Sequence, residues 1–170
     1  MRTLLVVSII VSAALLGTQF ASAKEPTTPP APLPTQIVTA KKIFISNAGG
    51  DNRDGAYNGG ADRAYNQFYA AMKSWGHYEL AAAPVDADLV FKISFTVPGG
   101  FEHGHADYDP QFQLVIFDPK TRITLWAFTE HADWAILGEN RNRNFDQALD
   151  RIVADVKSLI DPTAATNRRP

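Results

Sequence analysis

The chain has 170 residues, 45% of them hydrophobic, with ten Phe, three Trp and no cysteine. That is the length of one ordinary domain with ample apolar mass for a core, and it excludes disulfide bracing, thiol catalysis and cysteine-ligated metal. Sixteen basic against 18 acidic residues give a net charge of −2, too near neutral to indicate nucleic acid or an anionic membrane as partner.

At the amino terminus, Arg2 precedes an apolar run from Leu4 to Gly17 that closes on Ala21-Ser22-Ala23. A positive start, a short apolar stretch and a small-x-small ending are what a signal peptidase reads. The run is shorter than the roughly 20 residues a membrane-spanning helix needs. Residues 1–23 are therefore expected to be a signal peptide cleaved between Ala23 and Lys24, leaving 147 of the 170 residues, no transmembrane segment and a secreted or periplasmic protein. No cysteine adjoins the cleavage point to carry a lipid anchor. Residues 24–40 contain Pro26, Pro29, Pro30, Pro32 and Pro34, which favour an extended spacer over helix or central strand.

A single domain is expected over 41–161, followed by a frayed tail over 162–170. Lys42 to Ser46 reads as a strand, followed by a Gly-rich loop from Asn47 to Gly60 that presents Tyr57. Asp62 is placed to cap a helix in which Tyr65, Phe68, Met72 and Trp75 form one apolar stripe, ended by Gly76. Tyr78-Glu79-Leu80 suggests a second strand, and Pro84 to Asp88 a turn. Leu89, Phe91, Ile93, Phe95 and Val97 alternate with Val90, Lys92, Ser94 and Thr96, the period of a strand buried on one side. Pro98-Gly99-Gly100 stops it.

Phe112–Phe117 and Ile123–Glu130 read as a hairpin about Asp118-Pro119-Lys120-Thr121. If Asp118 faces Thr121, Leu114 meets Leu125 and Phe112 meets Ala127, so the apolar sets share one face. A last helix runs from about Asn144 to Ile160, with Phe145, Leu149, Ile152, Val153 and Val156 on its apolar side. Strands joined by hairpins with two amphipathic helices imply an α+β two-layer sandwich, a mainly antiparallel sheet of four to five strands with both helices on one face.

The segment richest in chemistry is Glu102 to Asp109. In an extended chain His103, His105, Asp107 and Asp109 line one side, and the hairpin register carries His131 beside Tyr108 and Glu130 beside Asp109. His103, His105, Asp107 and His131 are thus the candidate ligands for a divalent transition metal such as Zn²⁺ or Cu²⁺; Gly99, Gly100 and Gly104 make a solvated loop the plainer account. The Gly-rich loop precedes a helix N-terminus but lacks the Lys-Ser/Thr ending of a P-loop, and Arg53 stands where a calcium loop wants a ligand. Arg141 and Arg143 offer a grip on an anion, or simply belong to a polar connector ending in an Asn144 cap. Trp134 reads as a packed lid. No nucleophile elbow and no zinc helix is present.

Ala87-Asp88-Leu89-Val90-Phe91-Lys92-Ile93-Ser94, then Phe112 to Asp118 and Thr121 to Ala127, resemble the small envelope domains related to the N-terminal domain of TolB. Curli-secretion and flagellar-assembly lipoproteins and activators of penicillin-binding proteins share that style, an "A-D-apolar" strand followed by a hairpin reading "l-v-D-x-x-T-G-x-x-l-W". This chain has Arg122 where the turn glycine is usual and lacks their lipidated cysteine. The resemblance spans Lys41 to Asp161, carries over no site residue and implies a non-enzymatic envelope protein that binds partners through its surface. The expected function is accordingly an envelope-associated binding or assembly accessory with no cofactor. The alternatives are a metal-binding protein or metal-dependent hydrolase using the His103–Asp109 loop, and a small-ligand carrier with a pocket between sheet and helices.

Overall fold

The computed structural model describes residues 31–50, 55–102 and 105–161. The expected signal peptide with its Ala23–Lys24 cleavage point, residues 24–30 of the spacer, residues 51–54, His103, Gly104 and the tail over 162–170 lie outside them.

Within the stretch expected as spacer, Thr35–Thr39 forms a short helix, α1, that buries Ile37 completely. β1 (Lys42–Asn47) follows, and then α2 (Arg63–Trp75), closed by Gly76 in the left-handed conformation at φ 67°. Asp62 precedes α2 without capping it. Its carboxylate accepts a hydrogen bond from Asn47 Nδ2 at 2.7 Å instead, tying the end of β1 to the start of the helix. β2 is only Glu79–Leu80, and β3 covers Leu89–Thr96. The Gly99 stop opens a hairpin, β4 (Gly99–Glu102) and β5 (His105–Tyr108), which forms its own two-stranded sheet. Gly99 is at φ 102°, and a Cβ there would lie 1.9 Å from the Asp107 carbonyl oxygen. β6 (Gln111–Phe117), β7 (Thr124–His131) and α3 (Gly138–Ile160) complete the chain.

The main sheet runs β2-β1-β3-β6-β7. Its first three strands are parallel and its last three antiparallel, so the sheet is mixed where a mainly antiparallel one was expected. The reason is α2. Thirteen helical residues rise about 20 Å, the length of the six-residue β1, so the helix returns the chain to the level where β1 began and the next strands run the same way. Asp88 then fixes the entry to β3: its Oδ2 accepts the amides of Lys41 at 2.9 Å and Lys42 at 3.0 Å.

The β6–β7 register also departs from expectation. Leu114 faces Phe128, Ile116 faces Trp126 and Phe112 faces Glu130. The turn extends to Arg122, which adopts φ 60° and donates its amide to the Asp118 carbonyl at 2.8 Å. A bulge between Ile116 and Phe117 then sets Leu125 out of the ladder. An odd displacement exchanges the faces of a strand, so Trp126 and Phe128, opposite the buried Ile116 and Leu114, turn toward the helices, while Leu125 at the bulge stays partly buried against the core. Arg122 thereby carries a steric penalty of about 1–2 kcal/mol for the left-handed conformation.

Both long helices lie on one face. Ile43, Ile45, Phe91, Ile93, Leu114 and Ile116 meet Phe68 and Met72 of α2 and Ile152 and Val156 of α3, all nearly inaccessible. Phe95, Phe112 and Phe145 form a triangle with every pair of ring centroids 4.7 Å apart. Tyr57, expected on a mobile edge, is 4% exposed and packs edge-on to Phe95 at 5.0 Å. The cavity beside it, bounded by Gly50 and Phe145, measures about 10 Å³. That leaves no room there for the carrier pocket the sequence allowed between the layers.

Among the described residues, the phenols of Tyr57 and Tyr78 are buried without a hydrogen-bond partner. Burial pushes the Tyr57 hydroxyl up to about 12 and raises Tyr78 as well. An unsatisfied buried hydroxyl costs roughly 1–3 kcal/mol. Tyr78→Phe is therefore expected to raise stability by about 1 kcal/mol, read as a higher urea midpoint at unchanged slope; a lower midpoint would mean the hydroxyl contributes to the fold.

Asp118 accepts the Lys120 amide at 2.8 Å and the Thr121 hydroxyl at 3.0 Å. The Lys120 amide foremost holds its carboxyl below the usual aspartate range, and the Lys41 and Lys42 amides do the same for Asp88. A depressed folded-state pKa adds stability that is complete above the ordinary aspartate value and is lost as pH falls below it. The thermal midpoint should hold from pH 7 to 5 and fall below about pH 4. The Asp88→Asn/Asp118→Asn variant should show a shallower fall, and an equally steep one would assign the effect to other carboxylates.

Candidate functional site: the uncovered face of the sheet

Alternation along each strand sends every second side chain away from the helices. On that side β1 presents Phe44 and Ser46, β3 Val90, Lys92, Ser94 and Thr96, and β6 Gln113, Val115 and Phe117. The two long helices pack on the opposite face. Their side chains floor a groove of about 580 Å³, walled by Pro84 on one side and by Pro119, Arg122 and Thr124 on the other. A smaller depression of about 240 Å³ shares Lys92 and Val115 with it and continues past Ser94, Thr96 and Gln113. The trough thus grades from an apolar end at Phe44, Val90 and Phe117 to a hydroxyl- and amide-lined end.

Its charge differs from that of the chain as a whole. The described residues lining the two depressions include Lys92 and Arg122 and no acid, although the protein carries net −2. Neither cation is ion-paired among the described residues; the pairs found there are Lys42–Glu79, Arg63–Asp146, His131–Asp109 and Arg151–Glu130. The β3 alternation already marked Lys92 as outward-facing. The groove itself depends on the β6–β7 register, which the expected four-residue turn misplaced.

A second cavity, of about 340 Å³, lies at the strand ends among Lys41, Asp88, Asp118 and Lys120. Both its carboxylates are already engaged by the amides that shape the neighbouring turns, so its chemistry is that of fold-building.

The expected metal ligands fall as follows. His103 lies outside the described residues. His105 pairs with Glu102 and Asp107 with Gly100 across the β4–β5 hairpin, and Asp107 is exposed. His131 faces Gln111, three places from the expected Tyr108, and Phe112 takes the place expected for Asp109 opposite Glu130. Asp109 nevertheless meets His131, with Oδ1 2.6 Å from Nδ1. Among the described residues no three His or acidic side chains gather at one point.

The arginines before the last helix turn out to lie within it. Arg141 donates to the carbonyls of Ala56 at 3.0 Å, Ala135 at 2.9 Å and Ile136 at 2.6 Å, with its guanidinium 5.0 Å from the Trp134 ring centre. It closes the connection before α3 and has little left for an anion. Arg143 bonds Asn140 at 2.9 Å. Asn144, expected as a cap, sits inside α3 and donates to the Asp133 carbonyl at 2.8 Å. Trp134 packs against Tyr108 with centroids 4.4 Å apart.

No helix among the described residues is long and apolar enough to cross a membrane. No family model and no curated protein matches the chain. Among solved structures it is similar to the PelC dodecamer from Paraburkholderia phytofirmans, at 15% identity and TM-score 0.40 over 76% of this chain and 92% of that one. It is also similar to the DUF330 protein XCC0632 from Xanthomonas campestris, at 14% identity and TM-score 0.44 over 75% and 88% of the two chains. A third similar structure is lipoprotein GNA1162 from Neisseria meningitidis, at 15% identity and TM-score 0.35 over 68% and 99%.

Proposed function

We propose that this chain is an exported, non-enzymatic protein of the bacterial envelope that binds a partner across the uncovered face of its sheet. The observation that carries the reading is that face: a groove of about 580 Å³ with an apolar floor and two cations unpaired among the described residues. An apolar sheet surface beside polar walls marks an interaction site on a protein whose other sheet face is fully packed. The amino-terminal signal pattern over 1–23 and the resemblance to TolB-related envelope domains support the compartment.

The absence of native cysteine allows one reporter thiol at a time. Gln113→Cys places it on the uncovered face and Asp150→Cys on the exposed side of α3. Each variant, labelled with a benzophenone maleimide and irradiated with an envelope fraction, tests the reading. Discrete adducts are expected from Gln113→Cys only; equal adducts from both positions, or none from either, would overturn it.

A second reading rests on the 2.6 Å contact of His131 with Asp109. A divalent transition metal bound by that pair would be of the type imidazole and carboxylate ligands select. Calorimetry with Zn²⁺ should then give one site that His131→Ala weakens at least tenfold. Equal binding by the variant removes this reading.

A further inference from the structure

We propose that the trough on the uncovered sheet face binds a single-chain anionic amphiphile as a free monomer, its hydrocarbon along Phe44, Val90 and Phe117 and its charged head at Lys92. This rests on the reading of that face as the contact surface and names what it takes. Three observations converge on it.

Length and polarity come first. From Phe117 to Val115, the residue opposite Lys92, the β6 backbone advances about 7 Å. With bonds of about 1.5 Å, about six carbons of a tail headed at Lys92 therefore lie over the apolar floor, and the rest extends past Phe117 toward Pro119. The floor changes from apolar to hydroxyl-bearing along that line, the polarity of a tail followed by a head group. Lys92 stands at the change, since it lines both depressions.

The sign of the charge comes second. With Lys92 and Arg122 present and no acid among the described lining residues, the trough favours anions against the negative charge of the rest of the molecule. Lys92 is exposed and unpaired among the described residues, so an incoming phosphate or carboxylate displaces no existing partner.

The third observation concerns the backbone. The amides under the trough are engaged in the β1–β3 and β3–β6 ladders, so the floor offers no ladder to a peptide strand. A peptide laid there would leave its own amides without protein partners, whereas a methylene chain has none to satisfy. Burial of that chain then drives binding.

The test titrates the mature protein, residues 24–170, with dodecyl phosphate below its micelle concentration, using calorimetry and amide chemical shifts. Dodecyltrimethylammonium serves as the matched cation, and anionic phospholipid vesicles test for membrane attachment. Saturable one-to-one binding of dodecyl phosphate is expected, with shifts confined to β1, β3 and β6 and affinity at least tenfold above that for the cation. Lys92→Gln should weaken it at least fivefold and Val115→Asp should abolish it, each with an unchanged circular dichroism spectrum; should Val115→Asp misfold, Gln113→Trp, at an exposed position, blocks the trough instead. Equal binding of both surfactants, an unaffected Lys92→Gln, or binding to vesicles without monomer binding would overturn the proposal. Absence of surfactant binding while the Gln113→Cys adducts persist would overturn it too, and would leave the face to a macromolecular partner.

Discussion

Three phenylalanine rings from three different elements meet at equal distances in the middle of this molecule. Phe95 comes from β3, Phe112 from β6 and Phe145 from α3, with centroids 4.7 Å apart in every pairing. Tilted and edge-on aromatic pairs at such distances add about 0.5–1.5 kcal/mol each beyond the area they bury. The Arg63 guanidinium of α2 lies 4.1 Å from the Phe145 ring centre and ion-pairs with Asp146 at 2.6 Å. The triangle thus fixes the second helix as well as the third, and Tyr57 closes the layer from the loop before α2. Sheet and helices are held at one point by rings that cannot shift separately.

That concentration of packing on one side defines the other. The same strands that deliver Ile43, Phe91, Ile93 and Leu114 to the helices must send Phe44, Val90, Lys92 and Val115 away from them. A sheet face that carries Phe44 and Phe117 with no long helix over them among the described residues contrasts with the burial opposite, and the proposed function rests on that asymmetry. Lys92 is the sharpest part of it, a cation in the middle of a strand whose neighbours at 91 and 93 are fully inaccessible.

Much of the fold was legible because its signals are local. The Tyr65–Trp75 stripe with Gly76 after it specifies α2, and strict alternation from Leu89 specifies β3 and which of its residues face the core. What escaped depends on chain segments far apart or on single backbone angles. Parallel pairing of β1 with β3 leaves no mark at either strand, since it follows from the match between the length of α2 and that of β1. The β6–β7 register turned on Arg122 adopting a left-handed angle normally given to glycine; its place in the turn was visible, but the conformation was not. Gly99 read as a stop because a glycine before an extended segment looks the same as one that opens a hairpin. For the candidate site, Lys92 was visible as outward-facing, while the groove needed β6 and β7 in their true register. His131 and Asp109 come together by a different register from the one that suggested them.

The β4–β5 hairpin stands apart from the main sheet, and its feet are already held by the pairing of Thr96 with Gln111. Because that pairing closes the loop independently, the entropy of a longer or shorter insertion changes only logarithmically with its length. The stretch between Val97 and Pro110 is therefore where this architecture tolerates variation in length most cheaply. Related chains can diverge there in size and composition while the core keeps its register, which makes the hairpin the natural place for lineage-specific traits to accumulate.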